Sequence, residues 1–208
     1  MRNTIPRTAL LFTILLLATA LMTPAHAAED DVRSWIDEQT TVSVTAQKSA
    51  LTFFRRDMQA SGKLVNFIDL GALEVNQAGK RRLYLCLLEW ITDPVRRKKR
   101  VVDDFSTLTV WADDKELTFP RHTEDRSTLH ISDMPYKRHT YNVLESYYEV
   151  SLEQLVTMSE AKTLSITAAN HPADATPYRG VTKGHKDLTA FTTEAVRIAA
   201  LANTPAAK

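Results

Sequence analysis

Residues 83–90 read Leu-Tyr-Leu-Cys-Leu-Leu-Glu-Trp, so apolar side chains occupy both alternating faces of this stretch when it is extended. A strand with that pattern is covered on both sides, whereas a half-exposed strand alternates apolar with polar residues. A buried helix is the alternative, but the run has the length of a strand. We expect it at the centre of the core.

The residues before this strand complete a hairpin. An apolar series runs from Leu64 to Val75, and Asn76-Gln77-Ala78-Gly79 follows it. Gly79 can take the positive φ that a tight hairpin turn needs. Residues 64–92 are therefore predicted to form two antiparallel strands joined by a short turn.

Further strands are predicted on both sides of the hairpin, near residues 40–46, 51–54, 107–111, 116–119, 128–132, 140–150 and 164–168. Two helices come late. Ser151 and Gln154 form a capping-box pattern before the first, and Asp187 can cap a second over residues 188–201. This order indicates a mainly β (α+β) fold, either an antiparallel β-sandwich or a partly closed barrel, with two peripheral helices near the C-terminus. We expect residues 28–208 to form a single mostly-β domain.

Residues 1–27 have the pattern of a targeting segment. Arg2 and Arg7 give the N-terminal end a positive charge. Ala9–Leu21 is a run of apolar and small residues, and Ala25-His26-Ala27 is a small-x-small cleavage pattern. This order is typical of a secretory signal peptide. The run has about 13 residues, fewer than the roughly 20 that span a bilayer, so we expect a removed leader and a soluble mature chain with no transmembrane segment. The periplasm is the favoured location, and the extracellular space is the alternative.

Composition argues against several classes of function. The net charge is +1, and removing Arg2 and Arg7 leaves −1, so the mature chain has no global attraction to nucleic acid or anionic membranes. The chain has 5 glycines, and they form no phosphate-binding loop pattern. Cys86 is the single cysteine, so no internal disulfide can form, and its leucine neighbours predict an inert buried thiol.

The strongest local charge is a run of basic residues: Arg96, Arg97, Lys98, Lys99 and Arg100. Such a run can bind lipopolysaccharide, phospholipid headgroups, acidic glycans or nucleic acid. The plain alternative is a solvated connection between strands, kept unpaired by its charge. No aromatic residue interleaves the run, which argues against nucleic acid as a partner. If the run binds, we expect its partner to be an anionic envelope surface.

Residues that could catalyse a reaction or bind a metal show no matching pattern. His122, His130 and His139 lack the local spacing of a zinc site, although they could converge if adjacent strands pair. The one SxxK match starts at Ser159 and lacks its companion motifs. Adjacent carboxylates such as Asp103-Asp104 are more typical of solvated turns than of acid–base pairs. We predict no catalytic residue, no metal site and no cofactor.

One aromatic residue lies in a predicted loop. Residues 170–185 are polar and contain prolines and glycines, and a loop aromatic such as Tyr178 has no strand neighbour to pack against. The segment Pro177-Tyr178-Arg179-Gly180 is therefore the predicted binding loop, with Tyr178 and Arg179 as its candidate binding residues.

Two stretches resemble a family of uncharacterised exported (periplasmic) proteins of Gram-negative bacteria. The first is the arm Phe67–Asn76 with its Gly79 turn and the return strand that contains Tyr84. The second is the C-terminal succession of strand, Ser151-led helix, strand and terminal helix. The resemblance implies an exported, mainly β domain, and it implies no activity or catalytic residue.

Together these features favour an exported periplasmic protein with a non-catalytic binding or envelope-associated role, and with an envelope protein or an anionic envelope surface as partner. The alternative is an envelope-polymer hydrolase whose site is assembled from distant residues. Histidines clustered with a carboxylate in a concave pocket would favour that alternative. A third possibility is a protein that adds a strand to another protein's sheet, which an exposed apolar edge strand would favour.

Overall fold

The predicted hairpin forms the central strand pair of the sheet. In the computed structural model, which describes residues 31–57, 64–90, 103–136, 143–170, 176–180 and 184–202, β4 (Leu64–Gln77) and β5 (Lys80–Trp90) pair antiparallel. Ala78 and Gly79 form the turn, with φ values of 50° and 85°. The Asn76 Oδ1 atom accepts the Gly79 N–H at 3.0 Å, so the polar residue before the turn stabilises it.

Eight further strands flank this hairpin in the described part of the chain. They are β1 (Val32–Ile36), β2 (Ser43–Gln47), β3 (Leu51–Asp57), β6 (Thr107–Ala112), β7 (Lys115–Pro120), β8 (Val143–Glu149), β9 (Leu164–Ala168) and β10 (Tyr178–Gly180). The α-helices are α1 (Leu152–Glu160) and α2 (His185–Ala202), and a 3-10 helix spans Arg126–Leu129. The capping box predicted at Ser151 is present. The strand predicted near 128–132 is wrong, because His130 takes a positive φ of 58° and ends the 3-10 helix there.

All strand pairs are antiparallel, and the sheet curls into a half-barrel. One edge of β4 pairs with β3 over its first half and with β2 over its second half, while the other edge pairs with β5. From β8 the strands run through β5, β4, β3, β10, β9 and β6 to β7. The segment after β7 returns to β8, where the Tyr147 N–H donates to the Thr123 carbonyl at 2.8 Å. The prediction of a mainly antiparallel β fold with two helices is confirmed, with the curled, partly closed sheet as its form.

Both faces of the β4–β5 hairpin are buried. The inner face contributes to one core cluster together with the helices, through residues such as Leu70, Leu87 and, from α2, Phe191. The outer face contributes to a second cluster beneath β2 and the 121–136 segment, through residues such as Leu73 and Cys86. Cys86 is fully buried, and burial raises the pKa of its thiol, which fits the inert side chain expected from the sequence.

The outer cluster is closed by a contact that only glycine permits. A Cβ atom on Gly71 would overlap the ring of Tyr136. That ring is buried, and its hydroxyl donates to the Ala72 carbonyl at 2.6 Å. The missing side chain at position 71 therefore makes room for the tyrosine that covers the middle of β4.

We expect Gly71→Ala to lower the free energy of unfolding by about 2–4 kcal/mol, because the added methyl group displaces Tyr136 and breaks its buried hydrogen bond. In a Tyr136→Ala background the same change should cost less than about 1 kcal/mol, because the two side chains no longer compete for space. Urea denaturation of the four proteins of this cycle measures both values. Equal costs in the two backgrounds would contradict the contact.

Candidate functional site

A cleft of about 760 Å³ lies beside the short strand β10. β10 is three residues long and pairs with β3 on one side and β9 on the other, with Gly180 opposite Phe53. The cleft is lined by Leu51 and Phe53 of β3, by Leu164 and Ser165 of β9, and by Arg179 and Gly180 of β10.

The cleft has an apolar floor and a basic rim. Its apolar lining is Leu51, Phe53, Ala161, Leu164 and Pro177. The side chains that can carry positive charge are Lys162, Arg179 and His185, and the described lining contains no carboxylate. Lys162 and Arg179 are exposed, whereas Phe53 is fully buried. The arrangement offers an apolar surface beneath groups that attract an anion.

Asp113 fixes the backbone beside Lys162. This residue lies in the β6–β7 turn with a φ of 52°, a conformation that Asp adopts more readily than most residues. Its carboxylate accepts from the backbone N–H groups of Lys162, at 3.1 Å, and Thr163, at 2.9 Å. These backbone hydrogen bonds hold the pKa of Asp113 below its usual range. The exposed lysine side chain therefore extends from a rigid turn.

The start of α2 fixes the opposite side of the rim. Gly184 has a φ of 94° and lies against the Ala50 carbonyl, so a side chain there would clash with backbone. His185 follows it, and its Nε2 atom is 3.0 Å from the Ser159 carbonyl oxygen. A carbonyl only accepts, so Nε2 is the donor in this contact. The contact ties this side of the ring to α1.

Tyr178 does not lie in a loop, and that part of the sequence interpretation is wrong. It begins β10 and is fully buried on the inner face of the sheet. Its hydroxyl donates to the Asp103 carboxylate, which also accepts from Arg55 Nη2 at 2.9 Å. The Arg55 guanidinium lies 4.6 Å from the centre of the Tyr178 ring. Burial raises the pKa of the Tyr178 hydroxyl, so it stays a donor to Asp103.

Arg179 lies on the opposite face of β10 from Tyr178. Side chains alternate along a strand, and Arg179 is exposed while Tyr178 is buried. Arg179 lines the cleft, and Tyr178 belongs to a structural cluster with Arg55 and Asp103. The other predicted binding residues, Arg96, Arg97, Lys98, Lys99 and Arg100, lie outside the described residues.

No sequence pattern pointed to the other rim residues. Lys162 attracts attention only through the SxxK match, and His185 stands alone in a polar stretch. They meet Arg179 because the α1–β9 turn, β10 and the start of α2 converge in space. His122 and His130 also come together, in a smaller pocket whose described lining contains no carboxylate. The histidine–carboxylate cluster that would favour a hydrolase is not what this pocket provides.

Neither a metal-binding cluster nor a membrane-spanning helix is found within the described ranges. No group of three or more His, Cys, Asp or Glu side chains there is arranged to hold a metal ion. No helix among the same residues is long and apolar enough to cross a membrane. In comparisons with known proteins, the chain matches no family model, no curated protein and no solved structure.

Proposed function

We propose that this protein is an exported, non-catalytic binding protein whose cleft takes an anionic ligand with an apolar tail. The observation that carries the proposal is the lining of the cleft, which combines an apolar floor with Lys162, Arg179 and His185 and, among the described residues, no acid. A single-chain anionic lipid or fatty acid has matching chemistry.

Size and electrostatics support this class of ligand. A cavity of about 760 Å³ is within the range of roughly 300–1,000 Å³ that small-molecule sites occupy. Burying an acyl chain against Phe53 and Leu164 supplies the hydrophobic free energy. The rim then selects anionic over cationic head groups, because exposed charges contribute more to selectivity than to affinity.

Binding fits the side chains of the cleft better than hydrolysis does. Ser165 and Thr163 supply hydroxyl groups, but Nε2 of His185 is committed to the Ser159 carbonyl. Thr163 is also committed, since its hydroxyl donates to Asp113 at 3.0 Å. A hydrolase of envelope polymers remains the alternative. Release of products from such polymers, lost in Ser165→Ala, would favour it.

A strand-adding role has weaker support. β1 pairs with β2 along one edge only within the described residues, and Ile36 at its end is 65% exposed. The same strand carries Arg33, whose guanidinium bonds the Pro135 carbonyl and lies 4.9 Å from the centre of the Trp35 ring. A charged, short edge strand discourages pairing with a second chain.

Export forms part of the proposal and is tested separately. Residues 1–27 carry the signal-peptide pattern, so we expect the protein expressed in a Gram-negative host to appear in the periplasmic fraction with Ala28 as its first residue. N-terminal sequencing and intact mass check the cleavage. Full-length protein confined to the cytoplasm would contradict export without bearing on the cleft.

For the cleft we expect dodecanoate, below its micelle concentration, to bind more tightly than dodecyl maltoside and much more tightly than dodecyltrimethylammonium, and acetate not to bind measurably. Lys162→Gln and Arg179→Gln should each raise the Kd of dodecanoate about threefold, and the double variant about tenfold, as expected for exposed charges. Isothermal titration calorimetry measures each Kd.

Two variants serve as controls for this series. Arg56→Gln removes an exposed charge of β3 that lies outside the cleft lining, and should leave the Kd unchanged. Tyr178→Phe should lower the free energy of unfolding by about 1–2 kcal/mol through loss of its bond to Asp103, with little effect on the Kd. Equal affinity for cationic and anionic amphiphiles, or no effect of the rim substitutions, would overturn the proposal.

A further inference from the structure

A second pocket, of about 270 Å³, lies at the turn end of the β4–β5 hairpin. The hairpin contributes Val75, Gln77, Lys80, Arg82 and Tyr84, and the 122–130 segment contributes His122, Thr128, Leu129 and His130. Val75 pairs with Arg82, and Gln77 pairs with Lys80, so all of these hairpin side chains share the outer face of the sheet. This pocket is separate from the cleft at β10.

The pocket concentrates positive charge. Lys80, Arg82, His122 and His130 can all be cationic, and the described lining contains no carboxylate. Arg82 is exposed, and its hydrogen bond with the Tyr84 hydroxyl is the main reason that the pKa of its guanidinium is raised. The base of the pocket is firm, because Tyr84 and Leu129 are both buried.

The backbone holds both histidines in place. The His122 N–H donates to the Tyr147 carbonyl of β8 at 2.7 Å, and its ring lies 5.5 Å from that of Tyr84. The His130 N–H donates to the Ser127 carbonyl at 2.9 Å, and its own carbonyl accepts from Thr40 Oγ1 at 2.6 Å. The two imidazoles are therefore brought to one pocket by backbone bonds to different elements.

The acidic residues on the surrounding elements have partners of their own. Asp125 accepts from the Ser127 N–H at 2.9 Å and its hydroxyl at 2.6 Å. Asp37, from the segment after β1, accepts from the Ser132 N–H at 2.6 Å and is 3% exposed. These hydrogen bonds hold the pKa of each carboxyl below its usual range.

Further charged neighbours of the pocket lie on β8 and beside His122. Glu149 is opposite Tyr84 on β8 and is exposed, and its negative charge also raises the pKa of Arg82. Arg121, next to His122, pairs with Glu124. Even with Glu149 offsetting Arg82, the pocket keeps the Lys80 ammonium and the two imidazoles, and its described lining holds no carboxylate.

We propose that this pocket binds a phosphate monoester group. Its guanidinium, ammonium and imidazole N–H groups can all donate, which matches an oxyanion that carries several acceptor oxygens. The volume exceeds what a phosphate group alone fills and leaves room for a small attached alcohol. The same group can be carried by a soluble phosphate ester or by a lipid headgroup.

The two histidines add hydrogen-bond donors from a second element. Each imidazole can donate an N–H to an oxyanion, while Lys80 and Arg82 donate from the hairpin. Sulfate presents a comparable set of acceptor oxygens and keeps a constant charge near neutral pH, so it probes these donors without a change in its own protonation.

The test is a titration with sulfate at pH 7 and constant ionic strength, followed by nuclear magnetic resonance of the His122 and His130 imidazoles and by calorimetry. We expect Arg82→Gln to raise the Kd about tenfold, because a charged donor is lost. His122→Phe with His130→Asn should raise it by a similar factor, since Phe keeps the ring contact with Tyr84 and Asn suits the positive φ at position 130. Arg56→Gln is the matched control and should leave the Kd unchanged.

The source of the phosphate is distinguished by three probes at pH 7. Glycerol 3-phosphate that binds more tightly than inorganic phosphate indicates a soluble ester. Binding to vesicles that contain phosphatidic acid, together with weak binding of the soluble ester, indicates a lipid headgroup. A Kd for sulfate that Arg82→Gln or the double histidine variant leaves unchanged would overturn the proposal. Loss of dodecanoate binding at the β10 cleft leaves this result untouched, because Arg82 is not part of that cleft.

Discussion

The burial of the β4–β5 hairpin on both faces is the constraint on which the rest of the structure depends. Two strands that are apolar on both sides need two separate covers. The inner cover comes from the curled sheet and the helices, and the outer cover comes from β2 and the 121–136 segment. β4 is long enough to pair with both β3 and β2 along one edge, so this one strand joins the part of the sheet that contains β3 to the part that contains β2.

The two pockets follow from how these covers are built. The inner cover includes a sheet that runs from β8 round to β7, and the cleft lies beside its short strand β10. The outer cover crosses the hairpin near its turn, and its 3-10 helix ends at His130 beside Lys80 and Arg82. Basic side chains line both places, although the net charge of the chain is only +1. Local geometry, and not overall charge, gives each pocket its basic lining.

Local signals in the sequence predicted the parts of the fold that depend on near neighbours. The double-sided pattern of residues 83–90, the Ala78-Gly79 turn and the Ser151 capping box are each decided within a few residues, and all are present. Tyr178 was misplaced because β10 is three residues long and gains its strand character only by pairing with β3 and β9, which no pattern within three residues reveals. The cleft could not be predicted from the sequence either, because its rim brings together Lys162, Arg179 and His185 from three separate elements. The basic run 96–100 and the leader lie outside the described residues, so their roles stay predictions.

The most direct test that the cleft beside β10 binds an acyl chain is a map of amide chemical shifts in the ¹⁵N-labelled protein during a titration with dodecanoate. We expect shifts concentrated at Lys162, Ser165, Arg179 and His185, with β7 nearly unchanged. Shifts centred on the turn at Ala78 and Gly79, or spread evenly over the sheet, would contradict this binding site, because the acyl chain would then not occupy the cleft beside β10.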